Sequence, residues 1–463
     1  MDYVYSDKLK LVYFKGINPH RHKNIRFIKA FCKFKFVNKI IFLSFVLLAF
    51  ISCNRSARNN KEFLFWCSNN KDEITLAKSA TDKWNNTLAG NAVHMQPIPE
   101  GQSSEEVILA AVVGKTTPDI YANMWQGSVE MYAKAGVLIP LDTIKGFMNF
   151  MYDRCDSIVI KEITSSDGHI YQVPWKVNPI MTIYNKTLFE KNNIIEVPRT
   201  YSTYLRSAAT FKNNNINSQP LKHFGYTAVK VIWYERLFNF YTLYLAASNG
   251  APLVINNKAA FNNKYAIEVF RFLQGLYTQE YFSRENAAAS SDPFVIQTIA
   301  TKWTGPWEIS YLNRIPERDF AFDYYPPPVP DDHLGPVYTY ADPKNMVIFN
   351  TCKQPLAAWE FIKTMIDKNG DMQLLQISGQ LPRRKNLDTD PFYRDFFAKN
   401  PMLLPFAKQI PFVKGIDNCE SIVEVLDIIS QEYEASVVYG KKTPEQAIED
   451  AEKAVNVLLA ANK

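Results

Sequence analysis

Phe63-Leu64-Phe65-Trp66, Ala92-Val93-His94-Met95 and Asp119-Ile120-Tyr121-Ala122 are three short apolar runs whose spacing decides the fold. Between the first two, Ile74, Ala77, Ala80 and Trp84 recur three or four residues apart. That period puts them on one face of a helix, which Asn69 or Asn70 can cap. Between the second and third runs, Val107 to Val113 reads as another helix. Strand, helix, strand, helix, strand is the order of a parallel sheet covered on both faces. The third strand is expected to close in a polar and aromatic loop, Asn123-Met124-Trp125.

A second series of elements starts at Met181-Thr182-Ile183-Tyr184, with helical patterns over 229–248 and 264–281. Ala357, Ala358, Phe361, Ile362, Met365 and Ile366 form one apolar helical stripe. Thr443 as N-cap, Pro444 in the first turn and Gln446 in a capping box mark the start of the last helix. Tyr324-Tyr325-Pro326-Pro327-Pro328 reads as an extended crossing. A chain of 463 residues, 47% apolar and 21% charged, is long enough to divide into two lobes.

The net charge of +6 is not a property of one body. Residues 1–52 carry ten Lys/Arg against Asp2 and Asp7, and the rest carries 42 bases against 44 acids. Without a basic face on the body, a nucleic-acid partner is not expected. The basic stretch runs to Lys39 and is followed by Ile40 to Ile51, apolar apart from Ser44, then Ser52-Cys53. About a dozen apolar residues suit the core of a signal peptide better than a membrane span. Ser52-Cys53 resembles a bacterial lipoprotein cleavage site, at which Cys53 would be acylated and tethered through residues 54–61. An uncleaved N-terminal anchor is the alternative. Either way the body, from Glu62 onward, is expected outside the cytoplasm and attached to a membrane. Its four cysteines, Cys67, Cys155, Cys352 and Cys419, allow up to two disulfides whose pairing the spacing leaves open.

Catalytic signatures are missing. Gly114-Lys115-Thr116 lacks the first glycine of a P-loop, since position 109 is Leu109. No H-E-x-x-H, G-x-S-x-G or G-x-G-x-x-G occurs, and His94, His169, His223 and His333 lack metal-ligand spacing. No cofactor, metal or enzymatic activity is expected on these grounds.

Four segments in order carry a resemblance. They are Thr117-Pro118-Asp119-Ile120-Tyr121 with Ala135 to Asp142; Asp167 to Trp175 leading into Tyr184-Asn185-Lys186; Trp303-Thr304-Gly305-Pro306-Trp307; and the Ala358–Met365 stretch with Gly379-Gln380-Leu381-Pro382-Arg383. Together they resemble family 1 extracellular solute-binding proteins, the group typified by maltodextrin- and other sugar-binding proteins. The resemblance implies two discontinuous α/β lobes joined by a hinge, with a ligand cleft between them. It implies residues 62–172 plus 300–328 in one lobe and 173–299 plus 329–463 in the other. It also implies delivery of a small ligand, a mono- or oligosaccharide, to the permease subunits of an ABC importer. An envelope enzyme acting on carbohydrate and a ligand sensor are the alternative readings. Tyr338-Thr339-Tyr340-Ala341-Asp342 replaces a glycine-rich patch of the family, which makes that wall of the cleft bulkier.

Sugars present apolar ring faces edged by hydroxyls, so a matching site pairs aromatic plates with hydrogen-bonding side chains. Loop residues at strand ends supply the candidates. Ser68, Asn69 and Asn123 can bond hydroxyls, and Trp125 can stack. Trp175 and Lys176 sit at the first crossing, and Trp233 with Glu235 near the start of a second-lobe helix. Trp307, Tyr340 and Arg383 complete the set. Trp66 and Trp303, inside strand-like runs, are expected to be structural. Arg383 beside Arg384 opens a variant with an anionic ligand held by a guanidinium fork.

Overall fold

The computed structural model describes residues 62–87, 91–99, 103–229, 232–285 and 292–461. The basic leader, the tether and Cys53 lie outside them.

The predicted strand–helix alternation forms the first sheet. Strand β1 (Glu62–Cys67) pairs in parallel with β2 (Ala92–Pro97) and β3 (Ile120–Trp125). Helices Lys71–Asn86 and Ser104–Val113 make the crossovers that parallel pairing demands. Asn70 caps the first of them, its side-chain oxygen accepting from the N–H groups of Asp72 at 2.9 Å and Glu73 at 3.3 Å. Two strands from far along the chain complete the sheet with β4 (Val173–Val177). Strand β12 (Lys344–Ile348) inserts antiparallel between β3 and β4, and β13 (Leu381–Pro382) pairs with the other edge of β4. The order is β13-β4-β12-β3-β1-β2.

A second sheet is built from β5 (Met181–Asn185), β6 (His223–Gly225), β9 (Ile299–Thr304) and β10 (Phe322–Tyr325), in the order β10-β5-β9-β6. The small hairpin β7 (Val254–Ile255) and β8 (Lys258–Ala259) stands apart. Helices Lys264–Thr278, Ile422–Tyr433 and Pro444–Ala461 pack in the same core as Phe224, Ala300 and Trp303 of this sheet. The last helix has the predicted cap, Gln446 N–H donating to Thr443 Oγ1 at 3.2 Å. The pattern over 229–248 resolves differently, into a π-helical turn Leu237–Tyr241 and a short helix Thr242–Ala247.

Strand pairing redraws the expected lobe boundaries. Residues 300–328, expected in the first lobe, include most of β9 and all of β10, which pair with β5 in the second sheet. Conversely, 173–177 and 344–348 belong to the first sheet. The Pro-rich segment does not cross between lobes, since Val329, just beyond it, bridges to Thr200. Local pattern reports that a segment is a strand, and only long-range pairing reports which sheet it joins.

The crossings lie side by side. Asn178 N–H donates to Ala341 O at 2.7 Å, and Ile180 N–H to Tyr340 O at 3.0 Å. Strand β11 (Thr339–Tyr340) pairs in parallel with β14 (Val413–Lys414). Three chain segments thus form the narrow waist between the two sheets, the geometry of a hinge. Cys67, Cys155, Cys352 and Cys419 are all free thiols and buried, so no disulfide joins the described residues. Among the described residues no helix is long and apolar enough to cross a membrane.

Candidate functional site

Beside the waist, the C-terminal ends of the first-lobe strands face the second lobe across a cleft of about 370 Å³. Its first-lobe side carries Ser68 after β1, Asn70 and Glu73 of the following helix, Asn123 near the end of β3, and Lys176 of β4. Phe238 and Trp307 form the opposing wall. These same two side chains also border a second compartment of about 250 Å³, which runs into the second lobe past Tyr226, Glu235, Lys302 and Trp303.

Lys176 organises the floor. Its ammonium donates to Glu73 Oε1 at 2.7 Å and Asn123 Oδ1 at 2.9 Å, and it lies 4.5 Å from the centre of the Trp175 ring. Gln380 Nε2 donates to the same Glu73 oxygen at 2.8 Å. Burial pulls the Lys176 pKa below its usual value, and Glu73 opposes that shift. Glu73 Oε2 and Asn178 Oδ1 have no hydrogen-bond partner. Both are buried acceptors left unpaired among the described residues, on side chains that line the cleft. Asn123 reaches the floor from a left-handed backbone, φ 106°, a conformation that asparagine adopts more readily than most residues.

The aromatic wall is shaped by a glycine. A side chain at Gly305 would collide with the Trp307 indole, so the Gly305-Pro306-Trp307 sequence lets the ring fold over bare backbone. Phe238 meets Trp307 edge-on, with centroids 6.2 Å apart.

Of the predicted residues, Ser68, Asn123, Lys176 and Trp307 come together in the cleft, and Glu235 joins them through the adjoining compartment. Asn69 is exposed and does not line it; its neighbour Asn70 does. Trp175 requires correction. It is 2% exposed and packs in the first-lobe core with Val173, because neighbouring positions on β4 point to opposite faces and Lys176 takes the cleft side. Trp125 is not a loop residue but the end of β3. Its N–H donates to the Tyr340 hydroxyl at 2.9 Å and its ring lies 4.7 Å from Trp233. Trp233 and Tyr340 thus both pack on Trp125, and Tyr340 is wholly buried. Arg383 is also buried, its guanidinium 3.1 Å from Glu162. Arg384 is bound to Asp371, which also takes a two-point contact from Arg154. The proposed guanidinium fork is thus already engaged with internal carboxylates. Trp66 and Trp303 are buried as expected, although Trp303 also borders the second compartment.

Sequence reasoning missed Glu73, Asn70, Asn178, Phe238, Asp342, Lys344 and Gln380, all of which line the cleft. Glu73, three residues past its helix cap, carried a usable signal, since it lies in the turn that faces the strand ends. A larger hollow, about 880 Å³, lies near Ile309, Met372 and Phe396, but none of the predicted residues reaches it.

Two α/β lobes, a three-segment waist and a polar cleft walled by aromatics define a binding protein for a small solute. The chain belongs to the bacterial extracellular solute-binding protein family, whose sequence pattern matches residues 80–403. It is 23% identical over 338 residues to a relative from Brucella abortus (strain 2308), covering 71% of this chain and 76% of the relative. It is 21% identical over 297 residues to the diacetylchitobiose binding protein DasA of Streptomyces coelicolor, covering 62% of this chain and 65% of DasA. Its fold matches the crystal structure of the cyclic alpha-maltosyl-1,6-maltose binding protein of Arthrobacter globiformis. The TM-score is 0.74 at 20% identity, covering 86% of this chain and 98% of the other.

Proposed function

We propose that the protein captures a small carbohydrate between its lobes outside the cytoplasm and delivers it to the permease of an ABC importer. The observation that carries this reading is the cleft itself. Hydrogen-bonding groups of Ser68, Asn123, Glu73 and Gln380 face the Trp307 and Phe238 rings across the lobe boundary. A sugar's hydroxyl rim and ring face match those two surfaces. The carbohydrates named for DasA and the Arthrobacter protein support the same ligand class. Closure about the waist would bring the two surfaces onto the ligand and give the permease a distinct, loaded shape.

A binding role is favoured over glycoside hydrolysis by membership of a solute-binding family. Calorimetry with a panel of mono- and oligosaccharides tests the reading. Trp307→Ala should weaken the best ligand by about 1–3 kcal/mol while leaving the melting temperature close to that of the parent. Unchanged affinity in that variant would place the ligand elsewhere.

The membrane attachment is proposed through acylation of Cys53. Cys53→Ala should move the protein out of the membrane fraction and remove its lipid label. An unchanged distribution would rule the anchor out.

A further inference from the structure

The second compartment of the cleft is bordered by a carboxylate with no direct partner among the described residues. Glu235 borders it together with Tyr226, Phe238, Trp303 and Trp307. Among the described residues no ion pair or hydrogen bond engages the Glu235 side chain. Its neighbour Arg236 offsets part of the Glu235 charge through space without pairing with it directly. That guanidinium is fully buried, lies 3.9 Å from the centre of the Tyr433 ring, and donates to Ala228 O at 2.9 Å. Lys302 lines the same compartment but is already held by Asp292 at 2.8 Å and Glu308 at 3.0 Å. Burial raises the Glu235 pKa above the usual carboxylate value and the Arg236 charge opposes that shift, so the carboxylate is only partly compensated.

We infer that the Glu235 compartment takes the protonated amine of an amino sugar, with the carboxylate as counter-ion and the Trp307 and Phe238 faces as cation-binding walls. Removing a carboxylate from water is costly unless a cation meets it, so a ligand carrying its own positive charge gains where a neutral one does not. Aromatic faces add to that gain, because their negative π-surfaces attract ammonium groups. The opposite choice, an anionic sugar, finds no unpaired cation among the described residues lining either compartment; Arg236, whose Nε and Nη1 lack partners among the described residues, is fully buried and lines neither. Lys176 is spent on Glu73 and Lys302 on its two carboxylates. Lys344 lies 3.8 Å from Asp342.

This inference rests on the carbohydrate-binding reading, and one experiment separates the two. Glucosamine, galactosamine and the β-1,4-linked glucosamine dimer are each titrated against their N-acetylated counterparts at about pH 6.5, where an amine of pKa about 8 is protonated. The N-acetyl forms keep the ring and hydroxyls and lose the charge. At least one amino sugar should bind about tenfold or more tightly than its acetylated partner. In Glu235→Gln, which keeps the shape and hydrogen-bonding capacity, that ratio should fall to within about threefold. Added salt should also weaken the amino sugar more than the acetylated one in the unmodified protein, a readout that does not depend on the variant folding. Equal or tighter binding of the acetylated sugars, or a ratio unmoved by Glu235→Gln, overturns the inference while leaving a neutral carbohydrate ligand in place. Failure of every amino and neutral sugar to bind overturns both.

Discussion

Lys176→Met tests whether the cleft floor depends on its buried ion pair. The ammonium is 1% exposed and Glu73 is 7% exposed. Methionine keeps the length of the side chain and its packing beside Trp175 while deleting the charge. Glu73 would then be a buried carboxylate whose remaining described partner is the Gln380 amide at 2.8 Å. Removing one member of a buried pair typically costs about 3–5 kcal/mol, because the other charge is stranded in a poorly solvated place. Two features hold the estimate near the lower end. Glu73 lies in the first turn of its helix, where exposed N–H groups favour negative charge. It also borders the cleft, from which water can reach it. A loss of about 3 kcal/mol is therefore expected, read as a shift of the denaturant midpoint at unchanged slope. Adding Glu73→Gln should recover most of that loss, since no stranded charge remains. A loss below about 1 kcal/mol for Lys176→Met, or no recovery in the double variant, would refute the reasoning: Glu73 would be solvated and the pair incidental.

Trp175 and Trp307 should respond in opposite ways. Trp175→Ala removes a core side chain and should cost about 3–5 kcal/mol of stability, visible as a much lower melting temperature. A parent-like melt for that variant would show that Trp175 does not support the first-lobe core.

Much of the architecture was legible because the responsible interactions are local. Strand β1, its capped helix, β2 and β3 follow from hydrophobic period and one asparagine, and the last helix follows from Thr443, Pro444 and Gln446. The resemblance segments, Gly305-Pro306-Trp307 above all, named residues that line the cleft between the lobes. Lys176 and Trp307, both expected to face the ligand, line the cleft, whereas Trp175, expected beside them, lies in the core.

What the tertiary structure alone decided is which strands share a sheet and which side of a strand meets the cleft. Strand β12 reads as an ordinary apolar run, and its insertion between β3 and β4 depends on pairings more than 150 residues distant in sequence. Trp175 and Lys176 are neighbours in the chain, and a one-residue difference in register exchanges core for cleft. The sequence could not say that the indole goes inward. Arg383 and Arg384 look like a free anion fork until Glu162 and Asp371 arrive from distant segments to neutralise them. Residue types and local order are written in the chain. Charge compensation, burial and register are properties of pairs, and they exist only once the second member is in place.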